Sequence, residues 1–222
     1  MATVTASYNW VSGETVTPAK LNSAAAPTVV VADNEVTTAK ILDANVTTAK
    51  IADANVTPAK LSQPLTLATV QATNSGTSID FTGIPSWVRR ITVMLNGVSL
   101  SANAGALVQI GDSGGIETSD YVGNIGVVAG TGSGTIGALS DGFLVIYPGT
   151  GAEEFCSGLI VLSNLSGNTW VCSGNVARSF TTVQLQSVSG IKTLSATLDR
   201  LRFAVSGVAS FDAGQVNIMY EG

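Results

Sequence analysis

The sequence predicts a mainly β protein, with a short helix–turn repeat shaft at the N-terminus followed by an antiparallel β-sandwich head of jelly-roll type. Three observations predict it. A ten-residue phrase recurs between Val16 and Leu61. From about Pro64, short runs of Val, Ile, Leu and Phe alternate with Gly, Ser and Asn turns, the rhythm of antiparallel strands. Charged residues make up 11% of the chain against 45% hydrophobic ones, and the abundance of Gly, Ser, Thr and Val suits strands.

Residues 1–15 precede the repeats. Tyr8, Trp10 and Val11 stand in a polar Thr/Ser/Asn setting. Two readings stay open: an arm that docks on another protein with Trp10 as its anchor, or an aromatic cap on the shaft's own core.

Residues 16–62 form the shaft. Its phrase reads Val16-Thr-Pro-Ala-Lys-Leu21, then Val36-Thr-Thr-Ala-Lys-Ile41, Val46-Thr-Thr-Ala-Lys-Ile51 and Val56-Thr-Pro-Ala-Lys-Leu61, and Asp33, Asp43 and Asp53 share one register. Such a period is read before anything else. Ten steps on a straight helix rotate the apolar stripe by roughly 80° per repeat. On a continuous strand Val36 and Ile41 would point to opposite faces. The period therefore predicts one helical turn plus a link per repeat. Thr17, Thr37, Thr47 and Thr57 sit as N-caps, and Pro18 and Pro58 occupy the first helical position. Asp43-Ala-Asn45 and Asp53-Ala-Asn55 make the links.

Each unit offers apolar side chains to bury: Val36 with Ile41, Val46 with Ile51, Val56 with Leu61. Isolated helices shorter than about 12–15 residues are marginal in water. Four units in one chain make little core, so several chains are expected to wrap together; the alternative is a flexible Thr/Ala linker between domains, against which the exact recurrence of Val and Ile speaks. Residues 22–35 interrupt the shaft: Pro27 stops a helix begun by the alanines, and Val29–Val31 reads as a short extended piece.

Residues 64–222 form the head. Strands are expected near Leu65–Ala72, Ser78–Phe81, Arg90–Val98, Ala106–Gly111, Phe143–Tyr147, Gly158–Leu162, Thr169–Ser173, Thr182–Ser187, Ser195–Val205 and Val216–Tyr220. Period-two alternation is clear in Ile91, Val93 and Leu95, and in Val183 and Leu185. Phe143–Tyr147 and Leu159–Leu162 are apolar on both faces, as in a strand inside a sandwich or between subunits. The stretch from Gly111 to Gly142 holds ten glycines and reads as a long loop with little core. Glu117, Asp120 and Tyr121 are the side chains it would present as a receptor-binding loop.

Composition narrows the chemistry. A net charge of −5 without a basic run argues against nucleic acid. No histidine is present, which removes imidazole proton shuttles and imidazole metal sites. Gly111-Asp-Ser-Gly-Gly115 spells a serine-protease nucleophile motif, but Ser113 lacks the base that motif needs, and a Gly/Ser turn is expected there. Gly132-Ser-Gly-Thr-Ile-Gly137 fits a dinucleotide pattern with no strand before it and no helix after it. Glu153-Glu154, Asp141 and Asp120 are the carboxylates a glycosidase would draw on, and Asp112, Glu117 and Asp120 those a Ca²⁺ site would use. Both are read as solvated acids, with no enzymatic activity, cofactor or metal expected. Trp87 and Trp170 read as core before sugar platforms. Cys156 and Cys172 are two thiols that either pair or stay free. A turn at Ser166-Gly167 puts Cys172 opposite Val161, which favours free, buried thiols in a reducing compartment. No apolar segment suits a signal peptide or membrane span, so synthesis in a cytoplasm without membrane insertion is expected.

The repeats, with Asp-Ala-Asn between them, resemble those in fibre proteins of tailed bacteriophages. The opening from Tyr8-Asn-Trp-Val-Ser-Gly to Lys20-Leu-Asn22 is similar to virion-anchoring starts in such proteins. Phe81-Thr-Gly-Ile-Pro-Ser-Trp-Val-Arg-Arg90 through Gly97, Leu198-Asp-Arg-Leu-Arg202 and Phe211–Tyr220 resemble phage fibre head domains. The resemblance covers about half the chain. It implies a homotrimer, held on other virion proteins of tail or capsid through Tyr8, Trp10 and Val11. The head is expected to bind a host surface glycan or protein. A capsid decoration or head-fibre protein that stabilises the shell, and a small glycan depolymerase, are the alternatives. The resemblance places the chain in the virion, assembled in a bacterial host cytoplasm.

Overall fold

Strands dominate the chain, as its Val- and Thr-rich runs require. The structure, a computed structural model, describes residues 3–5, 8–26, 28–31, 36, 37, 39, 41, 45–52, 55–57, 60–129, 134–148, 154–179 and 183–222; side chains at 3–5, 28–30, 48 and 134–136 stand outside that description. Two compact units divide it, Met1–Thr57 and Pro58–Gly222. No helix among the described residues is long and apolar enough to cross a membrane.

In the first unit, β1 (Thr3–Thr5) pairs antiparallel with β2 (Thr28–Val30), Val4 opposite Val29. Helix α1 (Pro18–Ala25) starts at the first repeat. Thr17 is its N-cap, with the hydroxyl accepting the Lys20 N–H at 3.3 Å, and Pro18 opens the first turn. The third repeat makes a 3₁₀ turn, Thr48–Lys50, closed by Lys50 N–H to the Thr47 carbonyl at 2.9 Å. Helical turns thus follow Thr17 and Thr47. Pro27, Asp33, Asp43, Asp53 and Pro58 lie outside the described residues.

The second unit is built from antiparallel strands. Along the chain these are β3 (Thr66–Leu67), β4 (Gln71–Ala72), β5 (Ser78–Thr82), β6 (Arg90–Leu100), β7 (Gly105–Asp112), β8 (Gly115–Ile116), β9 (Val122–Ala129) and β10 (Gly134–Gly137). There follow β11 (Phe143–Ile146), β12 (Phe155–Ser166), β13 (Thr169–Ser179), β14 (Gln184–Thr193), β15 (Arg200–Ser206) and β16 (Phe211–Glu221). Among the described residues a nine-stranded sheet runs β10-β9-β14-β13-β12-β6-β16-β3, with β4 also on β16, and a five-stranded sheet runs β11-β7-β15-β5, with β8 on β7. This order, with β12, β13 and β14 as successive neighbours, differs from the eight strands in two sheets of a jelly roll.

One core joins both sheets. Ile91, Val93 and Leu95 of β6 meet Val108 and Ile110 of β7, with Phe143, Phe203 and Phe211 among them. Phe203 and Phe211 stack with centroids 5.1 Å apart. All four residues of β11 are buried, the interior alternative for that run. Alternation at Ile91, Val93 and Leu95 turns inward, whereas Val183 and Leu185 turn outward, 72% and 52% exposed.

Three expectations are corrected. The expected strand at Leu65–Ala72 is broken into β3 and β4, both on β16; between and after them the Ala68 N–H donates to the Ile218 carbonyl, and the Thr73 N–H and hydroxyl donate to the Gly214 and Ala213 carbonyls. Gly111–Gly142 is not one long loop: it contains β8, β9 and β10. Gly123, Gly126, Gly134 and Gly137 sit inside pairings, and a Cβ on Gly123 would lie 2.6 Å from the Ser189 carbonyl oxygen, so the ladder favours glycine there. Finally, the β12–β13 hairpin turns at Gly167-Asn168 and carries a bulge between Asn164 and Ser166. Cys172 therefore lies opposite Leu162, not Val161. That one-residue shift puts both on the inner face.

Candidate functional site

The residues expected to attach the chain gather around one carboxylate. Gly13, at φ +85°, lets the chain turn at 11–14, closed by Glu14 N–H to the Val11 carbonyl at 3.2 Å. The Glu14 carboxylate accepts the Tyr8 hydroxyl at 2.6 Å, the Val11 N–H at 3.0 Å and the Lys20 ammonium at 3.0 Å. The Tyr8 bond first, then that from Val11, holds the Glu14 carboxyl below its ordinary range. Lys20 lies 5.5 Å over the Tyr8 ring, and Trp10 meets that ring edge-on at 5.1 Å. Tyr8 is half-buried by these contacts, while Trp10 and Val11 stay exposed at 45% and 68%. The turn thus presents an exposed indole and valine beside the Tyr8–Glu14–Lys20 contacts.

The repeat side chains are exposed in the single chain. Val16, Leu21, Val36, Ile41, Val46, Ile51, Val56 and Leu61 lie between 39% and 62% exposed. Among the described residues these apolar groups keep a large part of their surface open.

The 112–121 segment behaves differently from a presenting loop. Asp112 is buried; its carboxylate accepts the Ser195 hydroxyl at 2.7 Å and the Gly114 N–H at 2.8 Å. The Ser195 bond is the main cause that holds this carboxyl low. Glu117 takes the Ser195 N–H at 2.7 Å and pairs with Lys192 at 2.6 Å. Burial pushes the Glu117 carboxyl up, but Lys192 and Ser195 outweigh it and the net direction is down. Lys192, 3% exposed, lies 5.3 Å over the Tyr121 ring.

Tyr121 is not a presented side chain: it is 4% exposed, edge-on to Phe143 at 4.9 Å. Its hydroxyl accepts the Ile110 N–H at 2.8 Å and faces the carbonyls of Ile110 and Glu117 at 3.1 and 3.0 Å. Burial raises its phenol well above the ordinary value. The physical reason is that β9 starts at the next residue and carries the ring into the core. Of the three expected loop residues, Asp120, at φ +60°, is exposed, and Glu117 is half-buried against Lys192. A depression of about 320 Å³ lies here, lined by Asp112, Glu117, Thr118, Ser119 and Ser195. Its two carboxylates are engaged with partners inside the fold.

The other candidates resolve as structure. Ser113 occupies the two-residue turn between β7 and β8. Glu154 is buried against Arg178 at 3.2 Å, and Arg178 also donates to the Tyr147 carbonyl and to Gln184. Glu153, and Gly132 and Ser133 of the dinucleotide pattern, lie outside the described residues, whereas Gly134–Gly137 is strand β10. Trp170 is buried; Trp87 is half-buried and tilts toward Tyr220 at 6.1 Å. Cys156 and Cys172 are free and buried, and burial pushes the Cys172 thiol up to about 12. Among the described residues no group of three or more Cys, Asp and Glu could hold a metal ion.

Lys192, Ser195 and Arg178 were not singled out by the sequence. Parity held the signal: Arg178 shares register with Trp170, Cys172 and Val176, and Lys192 with Val188. In comparisons with known proteins, no family model matches the chain, and no curated protein or solved structure matches it either.

Proposed function

We propose that the chain is a structural fibre of a bacteriophage particle, assembled as a homotrimer. Residues 1–15 attach it to other virion proteins, 16–62 form a shaft shared between chains, and 64–222 form a β head. The head binds a host surface glycan or protein, and several heads on one fibre raise weak single-site binding to useful avidity. The carrying observation is the repeat: a Val with Ile or Leu five residues on recurs at a spacing of ten from Val36 to Leu61, after a first copy at Val16 and Leu21, and these side chains stay exposed in the single chain. Apolar surface in that arrangement is stabilised by meeting copies of itself. The sequence resemblance to tailed-phage fibres supports the same reading, which involves no catalytic step, cofactor, nucleic acid or membrane insertion. Sedimentation at micromolar concentration tests it: three chains are expected, and a monomer rejects it.

A second reading is favoured by the Tyr8–Glu14–Lys20 knot with its exposed Trp10. There the main work is gripping a capsid and stabilising the shell. Deleting 1–15 then lowers capsid stability as well as particle binding. In the first reading, particles lacking 1–15 lose host adsorption and keep their shell stability.

A further inference from the structure

The outer face of β9, β12, β13 and β14 in the large sheet departs from the usual pattern. An antiparallel strand with one face in water places apolar residues inward and polar or charged ones outward. Strands β9, β12, β13 and β14 carry two charged residues, Arg178 and Lys192. Both point inward, 4% and 3% exposed, each against a glutamate. The outward positions hold Val122, Val128, Phe155, Leu159, Leu165 and Leu185, all exposed, with Ser and Asn between them. In the small sheet, β15 and β5 show the ordinary arrangement: Arg202 forks onto Asp80 at 2.6 and 2.8 Å on the outer side.

A groove of about 770 Å³ runs over β12, β13 and β14, lined by Ser157, Leu159, Ser173, Asn175, Leu185 and Ser187 among others. Among the described residues, no aromatic ring lines it for a sugar to stack on, and no cation or carboxylate lines it for an ionic ligand. Covering a charge-free face strands no charge when the cover is itself neutral. This chain carries such a surface. Four strands of about ten residues span about 600 Å². That approaches the roughly 800 Å² one partner contributes to a standard interface.

We propose that copies of this chain meet through the outer face of β9, β12, β13 and β14, centred on Leu159, Ser173 and Leu185. The proposal rests on the oligomeric reading above and places a second contact in the head. It accounts for the run Leu159–Leu162: Ile160 and Leu162 face the core, while Leu159 and Val161 face the neighbouring copy.

The test is thiol accessibility in the full chain. Ser173→Cys puts a thiol at the centre of the face, and Thr82→Cys puts one on the exposed edge strand of the small sheet. The wild type, with both natural cysteines buried, is the blank. Maleimide labelling at position 173 is expected to be at least tenfold slower than at position 82, and adding Leu159→Glu is expected to abolish the difference. Ser187→Cys serves as a second position should the first variant misfold. Equal labelling in a chain that sediments as an oligomer overturns the head contact and leaves the shaft standing. A monomeric chain labelled equally at both positions overturns both. Protection that survives Leu159→Glu also overturns the proposal.

Discussion

Tyr121 shows how a single hydroxyl ties a glycine-rich segment into the core. It meets the N–H of Ile110, a residue with no exposed surface. Removing the hydroxyl leaves that donor unsatisfied, which costs about 1–3 kcal/mol. Tyr121→Phe is therefore expected to lower the unfolding free energy from urea titration by that margin, with a lower midpoint, while the circular dichroism of the folded chain stays the same. Asp112 and Glu117 act on the same segment through charge. Their folded carboxyls bind protons less readily than unfolded ones, whose values lie at about 4. Their contribution is complete above that range and is lost as pH falls through the depressed folded values. Thermal midpoints between pH 7 and pH 3 are expected to fall, and Asp112→Asn is expected to flatten part of that slope. An unchanged slope removes Asp112 from the account.

At the scale of elements, the sequence was legible where pattern and burial agree. Ile91, Val93 and Leu95 mark β6, and Thr17-Pro18 marks the start of α1. It misled where glycine stood for closeness instead of freedom. β9 reads as loop because Gly123 and Gly126 interrupt its apolar alternation, yet Ile125 and Val127 are core. The phase of β14 was hidden too, since Leu185 faces outward while Gln186 is buried, donating no simple apolar signal. Tyr121 was misplaced for the same reason as β9. Gly174 tests the principle: a Cβ there would collide with the Leu159 carbonyl oxygen and lie 2.7 Å from the Ile160 Cα. Gly174→Ala is expected to destabilise the head by about 1–3 kcal/mol, the usual cost of overpacking, seen as a lower thermal midpoint. A midpoint at or above the wild type's would mean that β12 and β13 separate at little cost.

For the whole molecule, the decisive question is what covers the repeats. Ile41 and Ile51 are each 39% exposed in the single chain. Replacing both with Asp in a chain that works alone is a surface change, worth about 0.5 kcal/mol or less at each site. In a shared shaft the same carboxylates enter an apolar seam, where an unpaired charge costs far more. The two cases separate cleanly in the full chain. The dissociation constant of the assembly is expected to rise at least 100-fold, about 2.8 kcal/mol, while the head's thermal midpoint, extrapolated to the monomer, stays within a degree or two. Sedimentation across a dilution series reads the first quantity and calorimetry the second. An assembly of unchanged mass and affinity with both carboxylates in place means that the decapeptides are not its contact surface, and the fibre reading falls with them.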